Sequence, residues 1–338
     1  MSQKLNQMLG WHNPNLEHVN YLTKAEIDCK MALLLLEASI QAYRAFDSSY
    51  PAIADLTRVT IPEGYELIDS WTGVDSLFNR LQHVETYGLV FRSEREPYTY
   101  IFAFRGTDTW QDFCDDCGFD RVRFSPYNRD VIVPDEVRVE YGFNHIYTDA
   151  YGETQPMQQQ LFALVDKYLA SAKPIDRLYV TGHSLGCTLA TLFALDLALA
   201  RPEISVMNYN YASPRVGNQA FVDFYQQHSL GQRTVRFQNI YDKIPHTPLE
   251  IQEYRHLPNA YLIAFYRDRF GGKLDIMSNH SSLNYQKVLK HILQSPNVNY
   301  EMIFTGNHSQ KMKSVNPNSI AIANCSDLNC DNWQLRLN

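Results

Sequence analysis

Gly182-His183-Ser184-Leu185-Gly186 sets one serine between two glycines at an abrupt change of pattern. Leu178-Tyr179-Val180-Thr181 reads as the end of a buried strand, and Leu185 to Ala200 as a helix. That helix is apolar on almost every side, broken mainly by Thr188, Thr191 and Asp196, so it is expected to be buried on most faces. With no loop between the two elements the turn is tight and its apex is strained. Side chains two positions before and after the apex would collide, and glycine removes the collision. The hydroxyl of Ser184 then stands at the positive end of a helix dipole.

A serine hydroxyl is a poor nucleophile at neutral pH and needs a base to take its proton and an acid to hold that base. G-x-S-x-G between strand and helix is the nucleophile elbow of the α/β-hydrolases, where acid and then base follow the serine in the chain. Thr234 to Ile240 has a strand pattern, and Asp242 follows it directly, at the edge where the site residues of such sheets collect. Asp223 and Asp196 fall within predicted helices and are weaker candidates. Of His228, His246, His256 and His280, His246 is too close to Asp242 for a separate returning loop. His280 lies in a polar stretch just before a helix, and position favours it, with His256 next. An oxyanion would need two donors. The backbone N–H of Leu185 is one. Thr107, in the Arg105-Gly106-Thr107 exit from the strand Tyr100–Phe104, is the candidate for the other, although a glycine turn with a capping threonine is common in any protein.

The elements that must position these groups are legible in outline. The 338 residues suffice for one large α/β domain or two smaller ones, and a 45% hydrophobic composition can bury a sizeable core. The formal charge of −7 argues against nucleic acid, and no Lys/Arg run suggests a polybasic membrane anchor. Thr23 to Phe46 reads as a helix with Thr23 as N-cap and Glu26 at the capping-box position. Strands are expected at Tyr65–Trp71, His83–Arg92, Tyr98–Phe104, Val137–Tyr141, residues 177–181, near 205–211 and 234–240, and at Tyr261–Tyr266. Helices are expected at Gln155–Ala172 and Ser281–Leu293. Residues 108–136 read as irregular. Alternating strands and helices in the second half imply a mainly parallel sheet.

No apolar leader occurs in the first twenty residues, and the run Met31–Leu36 is too short to span a bilayer, so a cytoplasmic protein is expected. The six cysteines are scattered. Cys187 reads as a free core thiol. Cys325 and Cys330 could pair locally, or complete a four-thiolate metal site with Cys114 and Cys117.

Several ordered blocks together resemble the class 3 lipases, the family of the filamentous-fungal triacylglycerol lipases. They are Ala103-Phe104-Arg105-Gly106-Thr107, Tyr141-Gly142-Phe143, the elbow from Val180 to Gly186, Ala212-Ser213-Pro214-Arg215-Val216-Gly217-Asn218 with Phe221, Asn239 to Pro245, and Asn279-His280. The resemblance covers roughly residues 25–295, and joint occurrence is far more specific than any single block. It implies an α/β-hydrolase fold, with a mainly parallel central sheet and helices on both faces. It implies Ser184 as nucleophile, Asp242 as orienter, His280 as general base, and Thr107 and Leu185 as oxyanion hole, with His183 packing and shaping the elbow. Tyr141-Gly142-Phe143 would be a strand. An amphipathic lid near 109–117 would carry Trp110 and Phe113 on one face, and oxidation of Cys114 and Cys117 at its end would lock it. Residues 1–295 would form the catalytic domain and 296–338 a short appendage.

The chemistry so implied is hydrolysis of glycerolipid acyl esters at a lipid–water interface or membrane surface, with no cofactor or metal. Alternatives are a phospholipase A1 or polar-lipid acylhydrolase, a small-ester esterase, and a non-catalytic lipid-binding relative. Two departures stand out. Cys187 replaces the glycine that usually follows the elbow, and Glu140 stands where the family often has histidine.

Overall fold

The computed structural model describes residues 22, 26–75, 83–107, 120–239, 242–264, 279–294 and 320–322. The proposed lid with Trp110 and Phe113, and Cys114, Cys117, Cys325 and Cys330, lie outside them.

The first described α-helix, α1 (Cys29–Arg44), is shorter than expected. Asp28, not Thr23, is its cap, and its carboxylate accepts from the backbone N–H of Lys30 (3.1 Å) and Met31 (3.0 Å). Three antiparallel strands follow: β1 (Tyr65–Asp75), β2 (His83–Ser93) and β3 (Thr99–Phe104). Then come β4 (Arg121–Arg123), β5 (Arg138–Glu140), α2 (Tyr141–Thr148) and α3 (Met157–Leu169). The strand β6 (Arg177–His183) leads through the elbow into α4 (Leu185–Ala200). The remaining elements are β7 (Val206–Tyr211), β8 (Gly217–Asn218), α5 (Gln219–Gln227), β9 (Thr234–Asn239), β10 (Tyr254–Arg255), β11 (Ala260–Ala264), α6 (Ser282–Gln294) and β12 (Ile320–Ile322).

The main sheet has the order β1-β2-β3-β6-β7-β9-β11-β12, parallel from β3 onward. Both of its faces are covered, as the continuous burial of β3 and β9 requires. Alternate residues of β2 and β3 divide between the two sides. Val90, Tyr100, Phe102 and Phe104 join the core under α2, α3 and α4, and Leu89, Phe91, Ile101 and Ala103 join the core under α1 and α6. The helix α4 is buried from Leu185 through Leu197, as its lack of a polar face demands. The short strand β12 runs parallel to β11, so part of the C-terminal segment completes an edge of this sheet.

Two expectations are corrected. Tyr141-Gly142-Phe143 is not a strand but the first turn of α2. The buried carboxylate of Glu140 ends β5 by accepting the Phe143 N–H at 2.7 Å, a side-chain cap that diverts the chain into a helix. Residues 108–136 are not wholly irregular: β4 forms within them and joins β8, β10 and β5, the last overlapping the strand expected at Val137–Tyr141, in a second, four-stranded sheet. Strands of two or three residues carry no readable period, which is why the pattern hid β4, β8 and β10.

Candidate active site

Ser184 sits at φ 58° and ψ −129°, in the strained apex the sequence demanded. A Cβ on Gly182 would come within 2.3 Å of the Gly186 carbonyl carbon, and one on Gly186 within 2.7 Å of the Phe104 and Arg105 carbonyl oxygens. The two glycines thus let the elbow close on itself and on the exit of β3. The Ser184 N–H donates to the Tyr211 carbonyl on β7 at 3.0 Å, which ties the apex to the neighbouring strand.

Ser184 Oγ lies 2.7 Å from His280 Nε2, and His280 Nδ1 lies 2.7 Å from Asp242 Oδ2. Side chains from three separate segments therefore meet in one line: the elbow, the loop after β9, and the residues before α6. A carboxylate only accepts, so Nδ1 carries the imidazole proton and Nε2 is left to accept from the serine hydroxyl. Asp242 is fully buried. It also accepts from the Ile244 N–H at 3.0 Å and from the Tyr285 hydroxyl at 3.0 Å. These donors hold a charge that burial alone would disfavour.

His183 does not reach Ser184 through its ring. Its Nε2 donates to the His280 carbonyl at 2.7 Å, and its Nδ1 accepts from the Tyr43 hydroxyl of α1 at 2.9 Å. Burial, then the neighbouring His280, holds the His183 imidazole well below its ordinary range, so it stays neutral. It braces the backbone of His280. Tyr285, on α6, accepts the Asn239 N–H at 2.8 Å while donating to Asp242, and the Asn239 amide donates to the Asn279 carbonyl at 3.0 Å. The sequence reading missed Tyr43, Asn239 and Tyr285. Asn239 ends β9 and Tyr285 lies five residues after His280, whereas Tyr43, inside α1, carries no local signal.

The other histidines are placed elsewhere. His256 Nε2 pairs with the Pro245 carbonyl at 2.6 Å and supports the loop that carries Asp242. Burial and the nearby Arg215 push His246 down to about 3. His228 caps the end of α5. Leu185 opens α4 directly after Ser184, and Thr107 follows the exit of β3 beside the elbow. Cys187 fills the space below the turn. Its thiol donates toward the carbonyls of Gly182 (2.9 Å) and Tyr211 (3.1 Å), and burial pushes its pKa up, so it is a packing group. Among the described residues no cluster of three or more His, Cys, Asp or Glu could hold a metal ion. No described helix is long and apolar enough to cross a membrane.

The doubly covered, mainly parallel sheet and its strand–serine–helix turn define an α/β-hydrolase fold. A lipase from Rhizopus microsporus var. chinensis shares this fold, with TM-score 0.53 and 23% identity over 74% of this chain and 80% of that one. Residues 101–252 match the family model described as lipase (class 3). A secreted mono- and diacylglycerol lipase of Malassezia globosa is 30% identical over 56% of this chain and 57% of its own length. A chloroplastic phospholipase A1 of Arabidopsis thaliana is 30% identical over 44% of this chain and 32% of its own. The chain spans about half the length of the fungal relatives it matches. The cytoplasmic expectation is overturned by this comparison, because two similar Malassezia globosa lipases are secreted.

Proposed function

We propose that this protein is a serine-dependent lipase that hydrolyses acyl esters of glycerolipids through an acyl-enzyme. The observation that carries the reading is the buried line from Ser184 Oγ through the His280 ring to Asp242, with both contacts at 2.7 Å. Ser184 attacks the ester carbonyl while His280 Nε2 takes its proton. Asp242 stabilises the imidazolium, and the N–H groups of Thr107 and Leu185 hold the tetrahedral oxyanion. Collapse expels the alcohol, which His280 protonates. Water then repeats the sequence on the acyl-enzyme and releases the fatty acid. Residues 1–295 form most of the catalytic domain in this reading, with 296–338 an appendage that lends Ile320–Ile322 to the sheet edge, and a lid near 109–117 carries Trp110 and Phe113.

The name of the Arabidopsis relative favours a second reading, a phospholipase A1. The same triad serves both, because acyl transfer does not depend on the headgroup.

The test is hydrolysis across an ester series from butyryl to oleoyl, with emulsified triacylglycerol and phospholipid vesicles in parallel. Long-chain activity that rises at the lipid surface and vanishes in Ser184→Ala is expected, and the preferred lipid chooses between the two readings. Hydrolysis no faster than the Ser184→Ala background on every ester would overturn both and leave a lipid-binding protein.

A further inference from the structure

Arg105 is among the most buried arginines of the described residues, 2% accessible, and it stands two residues before Thr107. Burying a guanidinium is costly unless its donors are satisfied. Its Nε donates to the Thr86 carbonyl at 2.5 Å, one terminal nitrogen donates to the Gly106 carbonyl at 2.8 Å, and the other pairs with Glu85 Oε2. The second Glu85 oxygen lies 2.7 Å from His83 Nε2. The guanidinium carbon is 4.0 Å from the Phe46 ring centroid and 4.7 Å from that of Tyr87, so the planar group is also gripped by aromatic rings. These hydrogen bonds of the Arg105 side chain go to Thr86, Gly106 and Glu85, not to Ser184, His280 or Asp242.

The bond to Gly106 has a consequence one peptide further on. The Gly106 carbonyl and the Thr107 N–H belong to the same planar trans unit and point in opposite directions. Holding that carbonyl on the Arg105 side holds the Thr107 N–H on the other. Gly106 itself abuts the elbow, since a Cβ there would meet the His183 carbonyl oxygen at 2.7 Å and Ser184 Cβ at 3.0 Å. We propose that Arg105 is the positioning residue of the oxyanion site: anchored by Glu85 and Thr86, it sets the plane of the Gly106–Thr107 peptide and thereby the aim of the Thr107 N–H.

The inference rests on the acyl-ester chemistry proposed above and on Thr107 as an oxyanion donor. A preorganised donor acts without reorienting during the reaction, so loosening it costs the transition state more than the ground state. Lysine keeps the charge but offers no planar fork and reaches only part of the acceptor set.

The experiment measures kcat, KM and the affinity of a boronic acid that mimics the tetrahedral intermediate, in Arg105→Lys and Arg105→Ala. Arg105→Ala is expected to lose about 100-fold in kcat, the scale of one oxyanion donor, and Arg105→Lys roughly 10-fold. KM should stay within about twofold, boronate affinity should fall in step with kcat, and millimolar guanidinium should partly restore Arg105→Ala. If the arginine variants do not fold, Glu85→Gln, which loosens the guanidinium without removing it, is read in the same way with a smaller loss. Unchanged kcat and boronate affinity in a folded variant overturn the assignment, as does a rise in KM with kcat intact. Activity lost in Ser184→Ala but kept in the arginine variants sinks this inference alone. Activity kept in Ser184→Ala sinks the functional reading beneath it.

Discussion

Two aspartates in this molecule are equally hidden and do different things. Asp242 and Asp196 are both fully buried, and each accepts from a tyrosine hydroxyl, Tyr285 at 3.0 Å and Tyr147 at 2.8 Å. The remaining partners of Asp196 are the Tyr127 N–H and the Gln158 amide, both at 2.6 Å, so it fastens a loop and α3 to α4. Asp242 faces an imidazole that in turn faces a serine. Burial raises Asp196 to about 6 against the pull of its three donors. A buried, hydrogen-bonded and perturbed carboxylate is therefore not a site in itself. The titratable neighbour with access to a nucleophile makes the difference.

The sharpest way to break this contrast is to exchange each carboxylate for an amide. Asp242→Asn is expected to lower kcat by about 10⁴-fold, because the amide favours the wrong imidazole tautomer while leaving the geometry in place. Steady-state hydrolysis checks this. A loss below tenfold would mean that Asp242 does not orient the base. Asp196→Asn should do the reverse. Its NH₂ group would face donors, costing about 1–3 kcal/mol of stability, with kcat within about twofold of the parent. Denaturant midpoints and kcat measured on the same preparation check both halves.

Tyr285→Phe tests the intermediate case, a group that touches the acid but no reacting atom. Loss of one hydrogen bond to Asp242 predicts a fall of roughly 3–10-fold in kcat with KM unchanged. The smallest effect concerns pH. Burial raises Glu140 to about 7, against 4.5 for a free glutamate, and Asp196 to about 6, against 3.8 for a free aspartate. In both, the folded chain holds the proton more tightly than the unfolded chain. The stability each contributes is thus complete below the ordinary carboxyl range and is lost as pH rises through about 6 and about 7. Unfolding free energies from pH 4 to pH 8 should fall over that window, and Glu140→Gln should flatten the upper part. A curve that rises through it would show that these carboxyls ionise freely in the fold.

How much of this was visible beforehand depends on the range of the interaction concerned. The elbow is a local object: a strand, a helix and the glycines between them are adjacent in the chain, and steric collision within five residues dictates them. The long strands and helices were legible for the same reason, since their periods of 2 and 3.6 repeat over many residues. Asp242 and His280 were nameable because parallel strands end at one edge of a sheet and their loops collect there. The choice of His280 over His256 was not local, and the resemblance of the surrounding blocks weighed in it.

What the sequence by itself determined is the chemistry on offer: a strained serine at a helix start, an acid at a strand end, and a histidine before the last long helix. The tertiary structure alone decided which groups meet. It placed Tyr43, His183 and Tyr285 behind the triad, turned Glu140 into a helix cap, and built a second sheet from strands too short to show a period. It also set the guanidinium of Arg105 over two aromatic rings. Those contacts join residues up to 140 positions apart, as Tyr43 and His183 are. Such pairings have no period and no fixed spacing, and they become definite only when both faces of the sheet have been packed.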